Sequence, residues 1–177
     1  MNKKNKTSNL IKIALGAAVM CVLAPISFPM GAVPVSLATL GVYIVAAVFG
    51  KYRAALSMLI YVAIGAVGLP VFSGFSGGIS RLLWSGGGFI VGYIPCAFVT
   101  GLIIDLMENK KIAYPIGMVS GTVLCYLCGV LWYMFVMKTS VGAALSACVV
   151  PFLIFDAVKI AIASFAAYSI RSTVKRL

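Results

Sequence analysis

Charge is excluded from most of this chain. Uncharged, largely apolar runs cover residues 13–50, 54–80, 82–104, 112–137, 139–155 and 160–170, and the charged residues fall in the gaps. A bilayer-spanning helix needs about 20 consecutive apolar residues. With 63% hydrophobic residues and a mean hydropathy of +1.14, 177 residues have too little polar surface to cover a water-soluble fold. The pattern predicts an all-α membrane protein, one domain over residues 1–177.

Prolines and glycines divide the runs. The first is too long for one span, and Pro25, Pro29 and Pro34, with Gly31 between them, break it. The expected helices are 10–28, 35–50, 54–69, 89–107, 112–136 and 141–172. The last is longer than a straight span needs and is expected to bend or break at Pro151. Lys3, Lys4 and Lys6 before an apolar run also fit the start of a signal peptide. The run is read as a retained first helix because five further spans follow.

The net charge of +11 does not indicate nucleic-acid binding, since the cations form neither a basic face nor an aromatic-interleaved platform. They follow the positive-inside pattern. With both termini cytoplasmic, eleven cations lie inside (Lys3, Lys4, Lys6, Lys12, Lys51, Arg53, Lys110, Lys111, Arg171, Lys175, Arg176) and two, Arg81 and Lys138, outside. That orientation places the glycine-rich connection 70–88, between the third and fourth helices, outside. It contains six glycines together with Phe72, Phe75 and Trp84. A connection of this length reads as a binding loop or lid, or as an interfacial segment.

Lys159 is left within the membrane, three residues from Asp156 in the sixth helix. Ionisable groups in a bilayer are costly and by default functional, and this spacing puts both on one helix face. The other two acids, Asp105 and Glu108, sit at a span end beside Lys110 and Lys111. Asp156 lies 15 residues before Arg171, about 22 Å along a helix and so in the outer half of the core. Asp156 accepts and Lys159 donates, which suits a ligand showing N–H groups beside a carbonyl. With Arg81 the set carries about +1, which suits one carboxylate. A structural salt bridge is the alternative reading of the pair, and a solvated loop cation that of Arg81.

Cys125 and Cys128 have CxxC spacing, but the chain has no histidine and no second such pair. Small residues packing on one helix face explain them better than a metal or redox site. Ala14 and Ala18 likewise make a small-residue face on the first helix. No GxxxxGK[ST] phosphate loop occurs.

Four stretches resemble one family. They are Val33-Pro34-Val35-Ser36-Leu37-Ala38-Thr39-Leu40, Gly65-Ala66-Val67-Gly68-Leu69-Pro70-Val71-Phe72-Ser73-Gly74, Gly86-Gly87-Gly88-Phe89-Ile90-Val91-Gly92-Tyr93, and Pro151-Phe152-Leu153-Ile154-Phe155-Asp156-Ala157-Val158-Lys159. In order and spacing they resemble the VPxTLQTL, GxxGLPVFxG, GGYxxGF and PFLPGDLxK segments of the BioY family, the biotin-binding S components of energy-coupling factor (ECF) transporters. Ala38 replaces the usual glutamine, Phe155 the usual glycine, and Ser85-Gly86 the usual Gly-Pro.

The resemblance implies a six-helix protein of the bacterial cytoplasmic membrane that captures biotin from outside and is not an enzyme. It implies a substrate set of Thr39, Phe72, Phe75, Ser76, Arg81, Trp84, Tyr93, Asp156 and Lys159. Biotin would be a transported ligand rather than a cofactor, and no metal is expected. Ala14 and Ala18 would dock the transmembrane coupling subunit, and two ATPase subunits would supply the energy. An S component for another small vitamin, a membrane-embedded enzyme and a membrane scaffold are the alternatives. An enzyme is poorly supplied, with one buried acid and no histidine.

Overall fold

The computed structural model describes residues 3–29, 33–108 and 110–174, with side chains described from residue 6 to residue 171. Gly31, Lys175 and Arg176, and the side chains of Lys3 and Lys4, lie outside the described set.

Helix α1 spans Lys3–Leu23. It stops short of the expected residue 28 because Pro25 disfavours helix at Ala24. The chain then extends as β1 (Ser27–Phe28), which pairs antiparallel with β2 (Val35–Ser36), and Leu37 N–H closes onto the Ile26 carbonyl at 3.0 Å. Val35 and Ser36, expected to open the second helix, belong to this hairpin instead. Helix α2 (Ala38–Phe49) meets α3 (Lys51–Ala66) at Gly50, whose φ of +78° makes the reversal in one residue. A Cβ on Gly101 would approach the Lys51 backbone nitrogen to 2.5 Å, so the helix that carries Gly101, α5 (Gly87–Leu106), packs directly on this corner.

The connection 67–86 is not wholly irregular. It contains a bridge between Phe72 and Ser76 and a short helix, α4 (Ile79–Leu83). Gly74 N–H bonds to Pro25 O at 3.0 Å and Gly78 N–H to Gly65 O at 2.7 Å, which ties the loop to the ends of α1 and α3.

Helices α5 (Gly87–Leu106) and α6 (Ala113–Met137) are the most intimate pair. Gly88, Gly92, Cys96 and Thr100 recur every four residues on α5, and Gly117, Gly121, Cys125 and Gly129 do so on α6. A Cβ on Gly121 would stand 2.8 Å from the Cys96 carbonyl oxygen, and one on Gly88 2.7 Å from that of Cys128. Small residues let the two backbones approach. Cys125 is buried in this seam, as the packing reading of CxxC requires.

The expected sixth helix is two. Helix α7 (Val141–Cys148) is capped by Ser140, whose Oγ accepts from Ala143 N–H, and helix α8 is Val150–Val174. Val149 breaks the helix with φ −122° and ψ −53°. Pro151 has no N–H to continue the ladder, but it fits the first turn of a new helix.

Among the described residues, four helices are long and apolar enough to cross a membrane: α1, α5, α6 and α8. The six expected spans are met in part. Helices α2 and α3 are shorter, with 12 and 16 residues. Helix α2 packs largely against protein, with Val42, Tyr43, Val45, Ala46 and Ala47 buried.

Candidate functional site

The start of α2 and the second turn of α8 face each other. Lys159 Nζ donates to Ser36 O at 2.8 Å, to Thr39 Oγ1 at 3.0 Å and to Asp156 Oδ1 at 3.0 Å, which commits all three of its protons. Thr39 Oγ1 donates to Asp156 Oδ1 at 3.0 Å, and Tyr126 Oη donates to Asp156 Oδ2 at 2.5 Å. Asp156 and Lys159 are 3% and 8% exposed. Their desolvation is thus offset by a closed network rather than by the ion pair alone. A carboxylate offers about four acceptor positions, so these three donors leave about one for a ligand N–H.

This network forms the floor of a niche of about 40 Å³, lined also by Phe89, Tyr93, Thr122 and Phe152. Thr122 is held by Tyr43 Oη at 2.5 Å and by its own donation to Met118 O at 2.7 Å. Above the niche lies a cavity of about 410 Å³, within the ~300–1,000 Å³ common for small-molecule sites. Val33, Pro34, Phe89 and Tyr93 line both, so one cleft has a wide outer chamber and a narrow polar base. The outer wall adds Phe72, Ser76, Arg81 and Trp84. The Arg81 guanidinium lies 5.2 Å from the centre of the Trp84 ring, a cation–π arrangement. Trp84 O accepts from Trp132 Nε1 at 3.1 Å, and Ser76 Oγ donates to Ser73 O at 2.8 Å.

Eight of the nine residues expected from the sequence therefore line one cleft: Thr39, Asp156 and Lys159 at its base, Tyr93 between, and Phe72, Ser76, Arg81 and Trp84 outside. Phe75 does not join them. It is 71% exposed, sits at φ +53° on the loop, and lines neither chamber. Phe72 is 1% exposed, and its ring meets Tyr61 edge-on at 5.6 Å beneath the loop.

Sequence reasoning missed Tyr126 and Ser36. Tyr126 lies between the two cysteines of the CxxC, and its only signal was a phenol inside an apolar span. Ser36 contributes a backbone carbonyl, which no side-chain pattern reports. On α1, Ala14 and Ala18 are exposed, whereas Gly16, Ala17 and Met20 face the protein. A Cβ on Gly16 would stand 2.9 Å from Ser57 Cβ and 3.0 Å from Val45 Cγ1, so the alanines lie on the face turned away from α2 and α3.

The sequence matches the BioY family over residues 1–176. The chain belongs to the BioY family. It is 33% identical over 175 residues to a biotin transporter BioY of Rhodobacter capsulatus, covering 92% of each chain. It is 36% identical over 162 residues to a biotin transporter BioY of Thermotoga maritima, covering 92% of this chain and 95% of that one. The fold superimposes with a TM-score of 0.86 on a crystal structure of the S component for biotin from an ECF-type ABC transporter. That match covers 97% of this chain and 95% of the other at 20% identity. With its apolar helices, this BioY-family chain is an integral membrane protein.

Proposed function

We infer that this BioY-family protein is the biotin-binding S component of an ECF transporter, and that the cleft is its biotin site. The observation that carries the reading is the buried Asp156–Lys159–Thr39–Tyr126 network at the base of an aromatic-walled chamber that ends at Arg81. Biotin carries two ureido N–H groups beside a carbonyl, an apolar ring and a carboxylate tail. The ureido head matches the acceptor–donor base, with the open acceptor position of Asp156 taking an N–H and Lys159 meeting the carbonyl by exchanging one of its three protein acceptors for it. Phe89, Tyr93 and Trp84 cover the ring, and Arg81 meets the tail carboxylate. The arrangement leaves the more solvent-accessible cation for the charged end, the part of the ligand costliest to desolvate.

The base niche, at about 40 Å³, has room for little more than a water molecule. The ligand ring reaches Asp156 only if the shared wall of Phe89 and Tyr93 moves. Phe89 packs on Tyr126 and Phe152 at ring separations of 6.5 and 6.4 Å, so its movement is coupled to the group that holds Asp156.

The six-pass topology completes the reading. Arg171 ties the end of α8 to Ala47 O on α2 and to Asp105 on α5, while Thr39 and Asp156 tie the opposite ends of α2 and α8. Helices running end to end between two such poles support six spans in one unit, with α2 and α3 as short spans and α7–α8 as one broken span. The cation-rich pole lies in the cytoplasm and the cleft opens outside, in the bacterial cytoplasmic membrane. The exposed Ala14–Ala18 face docks the transmembrane coupling subunit, and a pair of ATPase subunits drives uptake.

Small molecules that copurify with the detergent-extracted protein, identified by mass spectrometry, test the ligand. Biotin is the expected species. Another vitamin in its place would keep the S-component reading and overturn the substrate.

A further inference from the structure

A second cavity, of about 520 Å³, opens at the other pole of the molecule, where α1, α8 and the α2–α3 corner meet the end of α5. Its rim carries Lys51, Arg53 and Arg171. The chain has three acidic side chains to set against its cations. Asp105 is bonded to Arg171 Nη2 at 3.1 Å, Asp156 serves Lys159, and Glu108 lies in the α5–α6 turn. Among the described residues, Lys51 and Arg53 form no ion pair. Three cations against one carboxylate leave the rim at about +2.

The cations are positioned rather than loose. Arg53 Nε donates to Asn9 Oδ1 at 2.9 Å and Nη1 to Phe49 O at 3.3 Å. Those bonds use two of its five N–H donors and leave the outer edge of the fork for an anion. Lys51 Nζ lies 5.3 Å from the centre of the Tyr52 ring. Helix α3 starts at Lys51, so its positive dipole end adds to the same rim.

The cavity is amphipathic. Ile13, Val48 and Leu56 give its lining an apolar part. From Leu56 an exposed apolar strip continues along α3 through Leu59 and Ile60, which are 47%, 51% and 40% exposed in that order. A soluble anion would gain nothing from that strip, whereas a lipid places its acyl chains there.

We propose that this cavity binds the phosphate headgroup of an anionic phospholipid, with Lys51 and Arg53 on the phosphate and an acyl chain along Leu56, Leu59 and Ile60. Because Arg53 of α3 also holds Asn9 of α1 and Phe49 O of α2, the bound lipid braces three helix ends at once. The site depends on the membrane location of the chain and not on biotin as ligand.

The test is native mass spectrometry of the full chain released from nanodiscs of phosphatidylcholine and phosphatidylglycerol in equal amounts. The parent should retain one phosphatidylglycerol in preference to phosphatidylcholine. Each cation contributes about a fivefold preference at a membrane surface, so Lys51→Gln with Arg53→Gln should lower that retention about thirtyfold. Lys110→Gln with Lys111→Gln, at the same pole but outside the cavity, should leave it unchanged. Should the double change loosen α1, Lys51→Gln alone should still cost about fivefold, and Arg53→Lys should retain most of the binding. Equal retention of the two lipids, or retention indifferent to Lys51 and Arg53, would overturn the proposal. Displacement of the lipid by an equal concentration of inorganic phosphate would also overturn it, since the site would then read a free anion.

Discussion

Asp156 holds three donors, and each makes a different claim on it. Lys159 and Thr39 share Oδ1, while Tyr126 alone fixes Oδ2. A hydrogen bond to a charged group contributes about 1.5–3 kcal/mol. Tyr126→Phe should therefore free the carboxylate to rotate and weaken biotin binding about tenfold, with the fold retained. Titration calorimetry measures it. Tighter binding would mean that the phenol competes with the ligand for Oδ2 instead of orienting it. Asp156 and Lys159 were legible in the sequence because a charge inside an apolar run has no bland background to hide in. Thr39 and Tyr93 needed the family motifs, since hydroxyls are common in membrane helices. Tyr126 was lost in a seam of cysteines and glycines, and the Ser36 carbonyl leaves no trace in residue type at all.

At the scale of elements, most helices followed from proline, glycine and charge positions to within a few residues. The misses share a cause. Val35–Ser36 and Ser27–Phe28 are apolar or small residues near prolines, and local pattern cannot distinguish a helix end from a hairpin that forms only when both arms meet. Helix α4 was hidden because its five residues, Ile79-Ser80-Arg81-Leu82-Leu83, are too few to show a helical period within a glycine-rich stretch. The α5–α6 seam carries a direct prediction. Gly121 has backbone of Cys96 within 2.8 Å of a prospective Cβ, so Gly121→Leu must push the helices apart. Overpacking costs about 1–3 kcal/mol, and thermal unfolding in detergent should show a lower midpoint than the parent, while Ser120→Leu, one residue away on the exposed side, should not. The connection 67–86 gives another. Its long-range tethers are three hydrogen bonds, Gly74 N–H to Pro25 O, Gly78 N–H to Gly65 O and Trp132 Nε1 to Trp84 O, few enough to open and close. Hydrogen exchange at Gly74 and Gly78 should slow when biotin is added, and unchanged exchange at saturation would remove the lid role.

At the scale of the whole molecule, the two ends differ in chemistry. One gathers aromatic and hydroxyl groups around a buried ion pair; the other gathers cations around helix ends. Ala14 and Ala18 lie between them on an outer face of α1, away from the cleft. Ala14→Leu with Ala18→Leu should leave biotin binding intact but abolish copurification with the coupling and ATPase subunits, because larger side chains block close helix approach. Loss of biotin binding in that variant would place the face inside the fold. Assembly at the parental level would move the docking surface elsewhere.

The measurement that bears most directly on the account is isothermal titration of biotin into the purified parent and into Asp156→Asn, with Asp156→Asn/Lys159→Met as a variant free of buried charge. The parent should bind one biotin per chain. Asp156→Asn should bind about tenfold to a hundredfold more weakly, the equivalent of one hydrogen bond to a charged group. The double variant should fold and bind no better than Asp156→Asn. Parental affinity in both variants would contradict the account and leave Asp156 and Lys159 as a structural ion pair.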